Sequence, residues 1–95
     1  DTIATTLGAK CITPELLNWS NNHELISLVI QDISAAKAAK QFADDHRVLI
    51  EPAAGAALAP IYVRHECLET FQTILIIVCG GIGTSLAQLA EQAKK

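Results

Sequence analysis

Cys79-Gly80-Gly81-Ile82-Gly83 is the stretch best suited to chemistry. It closes an apolar, β-branched run, Thr73 to Cys79, and leads into Thr84-Ser85, a helix-start pair. In open α/β folds, ligands bind beyond the C-terminal ends of strands, where glycines let them reach main-chain amides at the next helix start. The spacing is shorter than GxGxxG and no Walker lysine follows. Two readings therefore stand: a plain strand-to-helix turn, or a ligand edge. Cys79 at the strand end is either a buried inert thiol or a side chain aimed into the crevice. Glu51 stands before Pro52 at a second strand-to-helix junction. A carboxylate there either caps the helix or faces a site.

Other chemistries lack their residues. The three cysteines have no CxxC spacing, so neither a disulfide framework nor a zinc site follows, and Cys11 and Cys67 read as filler. His23, His46 and His65 lie in polar loops or ends without the i, i+4 spacing of a metal pair, and read as solvated. No Ser/His/Asp set or close carboxylate pair stands out. The lysines sit at chain ends or on helix faces, outside apolar pockets that would depress their pKa. Formal net charge is -3 and no basic run occurs, which excludes a nucleic-acid footprint. The apolar runs are shorter than the roughly 20 residues of a spanning helix. No signal peptide is visible. A reducing, intracellular setting fits this cysteine usage, with a cytoplasmic address expected and a mitochondrial one as the alternative. In that setting the Asn18-Trp19-Ser20 glycosylation pattern carries no meaning.

The elements that would position these residues alternate. Thr13-Pro14-Glu15 opens a helix, with Thr13 as cap. Leu25 to Ile30 reads as a strand that is apolar on both faces, suited to a parallel sheet. Asp32 or Ser34 is expected to cap a second helix, with Ile33, Ala36, Ala39 and Ala43 on its apolar stripe. Val48 to Ile50 is a short strand. Pro52 to Tyr62 is an alanine-rich helix; Gly55 and the alanines leave room for another backbone or a ligand, and Pro60 is expected to kink the helix or end it early. Thr73 to Cys79 is the strongest strand. Thr84 or Ser85 caps a last helix from Leu86 to about Ala93. This alternation predicts one α/β domain with a parallel sheet, covering 1–95. Half of the 95 residues are hydrophobic (51 %) and only 18 % are charged, which excludes a disordered tail. A domain of this size buries only about 60–65 % of its unfolded surface. Apolar surface is expected to stay exposed.

Three segments together resemble the C-terminal third of the L-serine/L-threonine dehydratases, pyridoxal-phosphate (PLP) enzymes of fold type II. They are Leu7-Gly8-Ala9-Lys10, then Phe42 through Ala59 with its Glu51-Pro52-Ala53-Ala54-Gly55-Ala56-Ala57-Leu58-Ala59 core, then Ile77 to Gly81 with Ser85-Leu86-Ala87-Gln88-Leu89. Their order and spacing match across nearly the whole chain, and the match is strongest to the catabolic serine dehydratase branch. The resemblance implies part of the large PLP-binding domain of a tryptophan synthase β-like fold. It implies conversion of L-serine to pyruvate and ammonia in amino-acid catabolism feeding gluconeogenesis, and a homodimer for the full-length family member. It places Cys79, Gly80 and Gly81 at the pyridine end of the cofactor. It makes the backbone carbonyls of Leu7 and Ala9 ligands of a monovalent cation, potassium. Ala54 departs from the family's usual cysteine, and Ile82-Gly83-Thr84 replaces the more usual Ser-Asn-Ile. The family's Schiff-base lysine motif, its phosphate-binding glycine loop and its substrate-carboxylate loop have no counterpart in these residues. Catalysis by the 95 residues alone is therefore not expected.

Two rival readings belong to other classes. One is a non-catalytic truncated remnant that pairs with a related subunit through an open sheet edge. The other is a small nucleotide-binding domain using Gly80 to Gly83.

Overall fold

The computed structural model describes residues 1–94. Its helices are α1 (Pro14–Ser20), α2 (Asp32–His46), α3 (Pro52–Tyr62) and α4 (Leu86–Gln92), with 3-10 turns at Thr5–Leu7 and Glu66–Leu68. Thr13 caps α1, its side chain accepting from the Leu16 N–H, and Pro14 occupies the first turn. Ser85 caps α4 by accepting from the Gln88 N–H at 3.2 Å. Because α4 has only 7 residues, its cap is a large share of its local stability. Ser85→Ala is expected to cost about 1 kcal/mol. Urea unfolding checks this as a lower midpoint with an unchanged slope.

The second helix starts differently from expectation. Gln31 is its N-cap residue and makes no side-chain cap bond. Asp32 is turned instead toward the N-terminal segment, where the Thr2 hydroxyl and the Ile3 N–H (3.1 Å) donate to its carboxylate. Those two bonds, the hydroxyl first, hold the Asp32 carboxyl below its usual range. At the other end, Arg47 closes α2 in the left-handed region (φ 58°), its N–H reaching the Ala43 carbonyl. In α3, Pro60 ends nothing: the helix runs two residues further to Tyr62. A proline this late removes one helical N–H bond, and the last turn is retained.

Small side chains set the packing. The second helix buries Ala35, Ala36, Ala38, Ala39 and Ala43. The third buries Ala53, Ala54, Gly55, Leu58 and Ala59. Where the two cross, a Cβ built on Gly55 would stand 2.1 Å from the Ala35 carbonyl oxygen. The room expected at Gly55 is thus taken by another backbone. Ile50 and Leu89, the largest fully buried side chains, tie the 48–50 segment and α4 to this helix pair. Ile30, Phe42, Tyr62 and Ile76 pack against the same core.

The expected parallel sheet is not formed among the described residues. Leu25 to Ile30, Val48 to Ile50 and Thr73 to Cys79 are extended segments without strand ladders. Among the described residues, 25–30 and 73–79 make no backbone–backbone hydrogen bond. The side chains still alternate as strands do. Val29 is 97 % exposed between half-buried Leu28 and Ile30, and Leu75 (86 %) and Ile77 (71 %) flank half-buried Ile76. A strand is defined by its neighbour. These segments carry strand sequence, and Ile30, Ile50 and Ile76 are the residues by which they meet the helix core. Among the described residues neither a second strand beside them nor a layer over their outer face is present, so the pattern apolar on both faces leaves one face bare.

Candidate functional site

The loop after Cys79 is held by main-chain contacts. The Glu51 N–H donates to the Gly80 carbonyl at 2.8 Å, joining the start of α3 to the loop. Gly81 lies against the 49–50 backbone: a Cβ there would stand 2.1 Å from the Leu49 carbonyl oxygen and 3.0 Å from the Ile50 Cα. The Thr84 N–H folds back to the Gly81 carbonyl (3.3 Å), and Ser85 then caps α4. All of these glycines have negative φ. Gly81 is required for space rather than for backbone conformation.

Glu51 does not cap α3 with its side chain. Its carboxylate instead accepts from the Thr6 hydroxyl at 2.9 Å. Its second oxygen faces Gly83, where a Cβ would stand 3.2 Å away. A small cleft of about 70 Å³ lies at this meeting point, lined by Thr5, Thr6, Glu51, Pro52 and Gly83 among others. The N-terminal turn that ends in Leu7 is therefore brought to the same junction as the 79–83 loop. Leu7 (60 % exposed), the last residue of this turn, and Ala9 just after it lie on the surface. They can offer a cation main-chain oxygens alone. Among the described residues no three His, Cys, Asp or Glu side chains cluster as a metal site.

Cys79 is exposed and free. It is thus not the buried thiol that one reading expected. Gly80 is open on its Cβ side, with nothing within 4 Å. Cys79 and Gly80 form a ledge without charged side chains of its own, and Gly81 pins that ledge from behind. A thiol offers a ring nitrogen one weak hydrogen-bonding partner.

The remaining candidates stay apart from this junction. His23 stacks on Trp19 (4.7 Å) and His46 lies against Phe42 (4.4 Å). His65 departs from the solvated reading: it is half-buried and caps the turn at Glu66–Leu68, its Nδ1 accepting from the Cys67 N–H at 3.2 Å and lying 3.1 Å from Cys67 Sγ. Cys11 is exposed. Thr6 and the Leu49 carbonyl were not legible as parts of the junction. Thr6 is 45 positions from Glu51 in sequence, and a main-chain oxygen leaves no mark in residue type.

The fold carries over to a solved protein. A fungal L-serine ammonia-lyase from Rhizomucor miehei superposes with a TM-score of 0.86 at 36 % identity, covering 100 % of this chain and 32 % of the other. The L-serine dehydratase/L-threonine deaminase of Mus musculus is 40 % identical over 95 residues, which is 92 % of this chain and 29 % of the mouse protein. The chain is homologous to part of the L-serine dehydratases. An L-serine dehydratase of Dictyostelium discoideum is 34 % identical over 94 % of this chain and 26 % of its own length. No family model matches. The chain spans less than a third of the serine dehydratases it matches. The ledge at Cys79–Gly81 and the junction at Glu51 both lie within the stretch that matches these proteins.

Proposed function

We propose that the chain is the part of an L-serine/L-threonine dehydratase that walls the ring end of the PLP pocket. The observation that carries this reading is the ledge itself. The specific Val78-Cys79-Gly80-Gly81 run is tied to the Glu51-Pro52-Ala53 run by the bond from the Glu51 N–H to the Gly80 carbonyl. Two runs that resemble the same family thus meet in space.

When bound, PLP supplies an electron sink for loss of water from serine. The residues here bind and orient. Gly80 leaves its side of the ledge free for the ring edge. Gly81 holds the loop at the depth that the Leu49 carbonyl permits. With the cofactor bound, the Cys79 thiol would be the group offered to the ring nitrogen, a weaker hydrogen-bonding partner than a carboxylate and one that would not hold a proton there firmly. Elimination of a β-hydroxyl demands less charge storage than transamination, so such a partner suffices. Glu51 and Thr6 fix the N-terminal turn. In this reading the carbonyls of Leu7, at its end, and Ala9, just after it, contribute to a monovalent-cation loop. The parallel sheet belongs to the completed fold, where the extended segments find neighbours. A homodimer and a small amino-acid substrate belong to that completed enzyme, as does a cytoplasmic setting. The 95 residues by themselves do not turn over serine, because no lysine here lies in the family's cofactor-linking motif.

The test is Cys79→Ala in the assembled enzyme. The expected result is a shifted visible absorbance band of the bound cofactor and a several-fold lower turnover, with the cofactor still attached. An unchanged band together with an unchanged rate removes Cys79 from the ring end.

A further inference from the structure

The turn after α3 brings a thiol and an imidazole together. The chain leaves α3 through Arg64, which is in the left-handed region (φ 51°). It is caught at once by the His65 N–H, which donates to the Pro60 carbonyl at 2.8 Å. Glu66–Leu68 then forms a 3-10 turn, closed by the Leu68 N–H on the His65 carbonyl at 2.9 Å. His65 is the N-cap residue of that turn, so its side chain reaches over the second turn residue, Cys67. Two residues that read from sequence as solvated surface and filler are thus placed in contact. His65 Nδ1 lies 3.1 Å from Cys67 Sγ, and both residues are half-buried.

The cap decides the direction of that contact. The Cys67 N–H donates to the same Nδ1 at 3.2 Å. An amide N–H can only donate, so Nδ1 presents its lone pair and the ring proton sits on Nε2. Against an acceptor nitrogen, the Cys67 thiol supplies the hydrogen. The result is a nucleophile whose proton already points at a base, the arrangement that activates a cysteine. Backbone bonds on both sides of the pair hold it in place before any reaction. Among the described residues, Cys67 is the one cysteine hydrogen-bonded through its sulfur. Beside the pair lies a cleft of about 310 Å³, lined by Arg64, His65 and Glu69 over Ile61, Leu68 and Ile74. It gives a small molecule room to approach, whereas a folded partner would have to reach a half-buried sulfur.

We infer that Cys67 is a thiol-modification site, with His65 as its base and a small disulfide as its co-reactant. His65 Nδ1 takes the Sγ proton as Sγ attacks one sulfur of the disulfide. A new S–S bond forms to Cys67 and the old one breaks. The leaving sulfur takes the proton from the imidazolium and departs as a thiol. Cys67 is oxidised to a mixed disulfide and half of the co-reactant is reduced, so no further oxidant enters. Protonation costs the Cys67 N–H its acceptor only until the proton is passed on. Neither residue belongs to the ledge at Cys79, so this site stands apart from the cofactor reading.

The experiment is site-resolved labelling of the intact protein with hydroxyethyl disulfide at neutral pH. Mixed disulfides are quantified by mass spectrometry on the peptides that carry Cys67 and Cys11. Exposure alone would make Cys11 the faster of the two, since it is exposed and Cys67 is half-buried. Cys67 is instead expected to react at least about tenfold faster. His65→Asn separates the two roles of the imidazole. An asparagine oxygen can accept the Cys67 N–H and keep the cap, but it cannot take the thiol proton. In this variant Cys67 is expected to slow at least about tenfold, while Cys11 keeps its rate and the melting temperature is unchanged. Labelling of Cys67 no faster than Cys11 in the unmodified protein overturns the inference. So does an unchanged Cys67 rate in a folded His65→Asn protein. Should that variant fail to fold, the comparison of Cys67 with Cys11 decides alone.

Discussion

Gly81→Ala is expected to destabilise the chain by about 3 kcal/mol, while Gly80→Ala, one residue earlier, is expected to be neutral or slightly stabilising. The methyl group at 81 would meet main-chain atoms: the Leu49 carbonyl oxygen at 2.1 Å, the Leu49 carbonyl carbon at 2.8 Å and the Ile50 Cα at 3.0 Å. Backbone cannot rotate aside as a side chain can. Either the 48–50 segment or the 79–83 loop must move. Ile50, which is 1 % exposed, opposes the first movement. The bond from the Glu51 N–H to Gly80 and the anchoring of α4 through Leu89 oppose the second. At position 80 a methyl group meets nothing within 4 Å, and the backbone there has a negative φ that alanine adopts freely. Thermal unfolding of the two variants checks the contrast. A loss of about 3 kcal/mol corresponds to a melting temperature lower by roughly 12 °C or more for a domain this small. If both variants melt together, the backbone crossing at Leu49 is not as tight as described.

Gly55→Ala tests the other crossing. In an exposed helix this change would be favourable by about 1 kcal/mol, because alanine is the better helix former. Here the methyl group would point at the Ala35 carbonyl oxygen at 2.1 Å and the Ala39 Cβ at 3.0 Å. Separating α2 and α3 enough to admit it would loosen the contacts of the alanine core on both helices. The overpacking term of about 3 kcal/mol exceeds the propensity gain, leaving a net loss of about 2 kcal/mol. The expected result is a lower urea midpoint for Gly55→Ala. A raised midpoint would mean that propensity wins and that the helices can part without loss. Ala57→Gly, at an exposed position of the same helix, supplies the comparison, since it changes propensity alone.

Much of the local structure was legible. Thr13-Pro14 and Pro52 mark helix starts because a proline at the first helical turn gives up only an N–H that would have no helical partner. Ser85 marks another because its hydroxyl can reach a free amide. Gly55 was legible as a point of close approach, since the residues around it are nearly all alanine. The caps expected at Asp32 and Glu51 did not form. A carboxylate near a helix start has a local use and a distant one. The distant partners, Thr2 with Ile3 and Thr6, belong to a segment 29 to 45 positions away.

By itself, the order of residues determined where helices start, which segments have strand character, and that the Cys79-Gly80-Gly81 run resembles a serine dehydratase motif. Those properties depend on a few neighbours along the chain: a cap three residues away, a branched side chain, a motif read in one dimension. Tertiary structure decided the rest. It placed the Leu49 carbonyl behind Gly81 and bound Thr6 to Glu51. It left Cys79 in the open, and it withheld the sheet from three segments that carry strand sequence. The physical reason is the same in each case. A strand, a buried thiol and a close backbone crossing are each defined by a partner distant in sequence, and residue order carries no direct record of whether that partner is there.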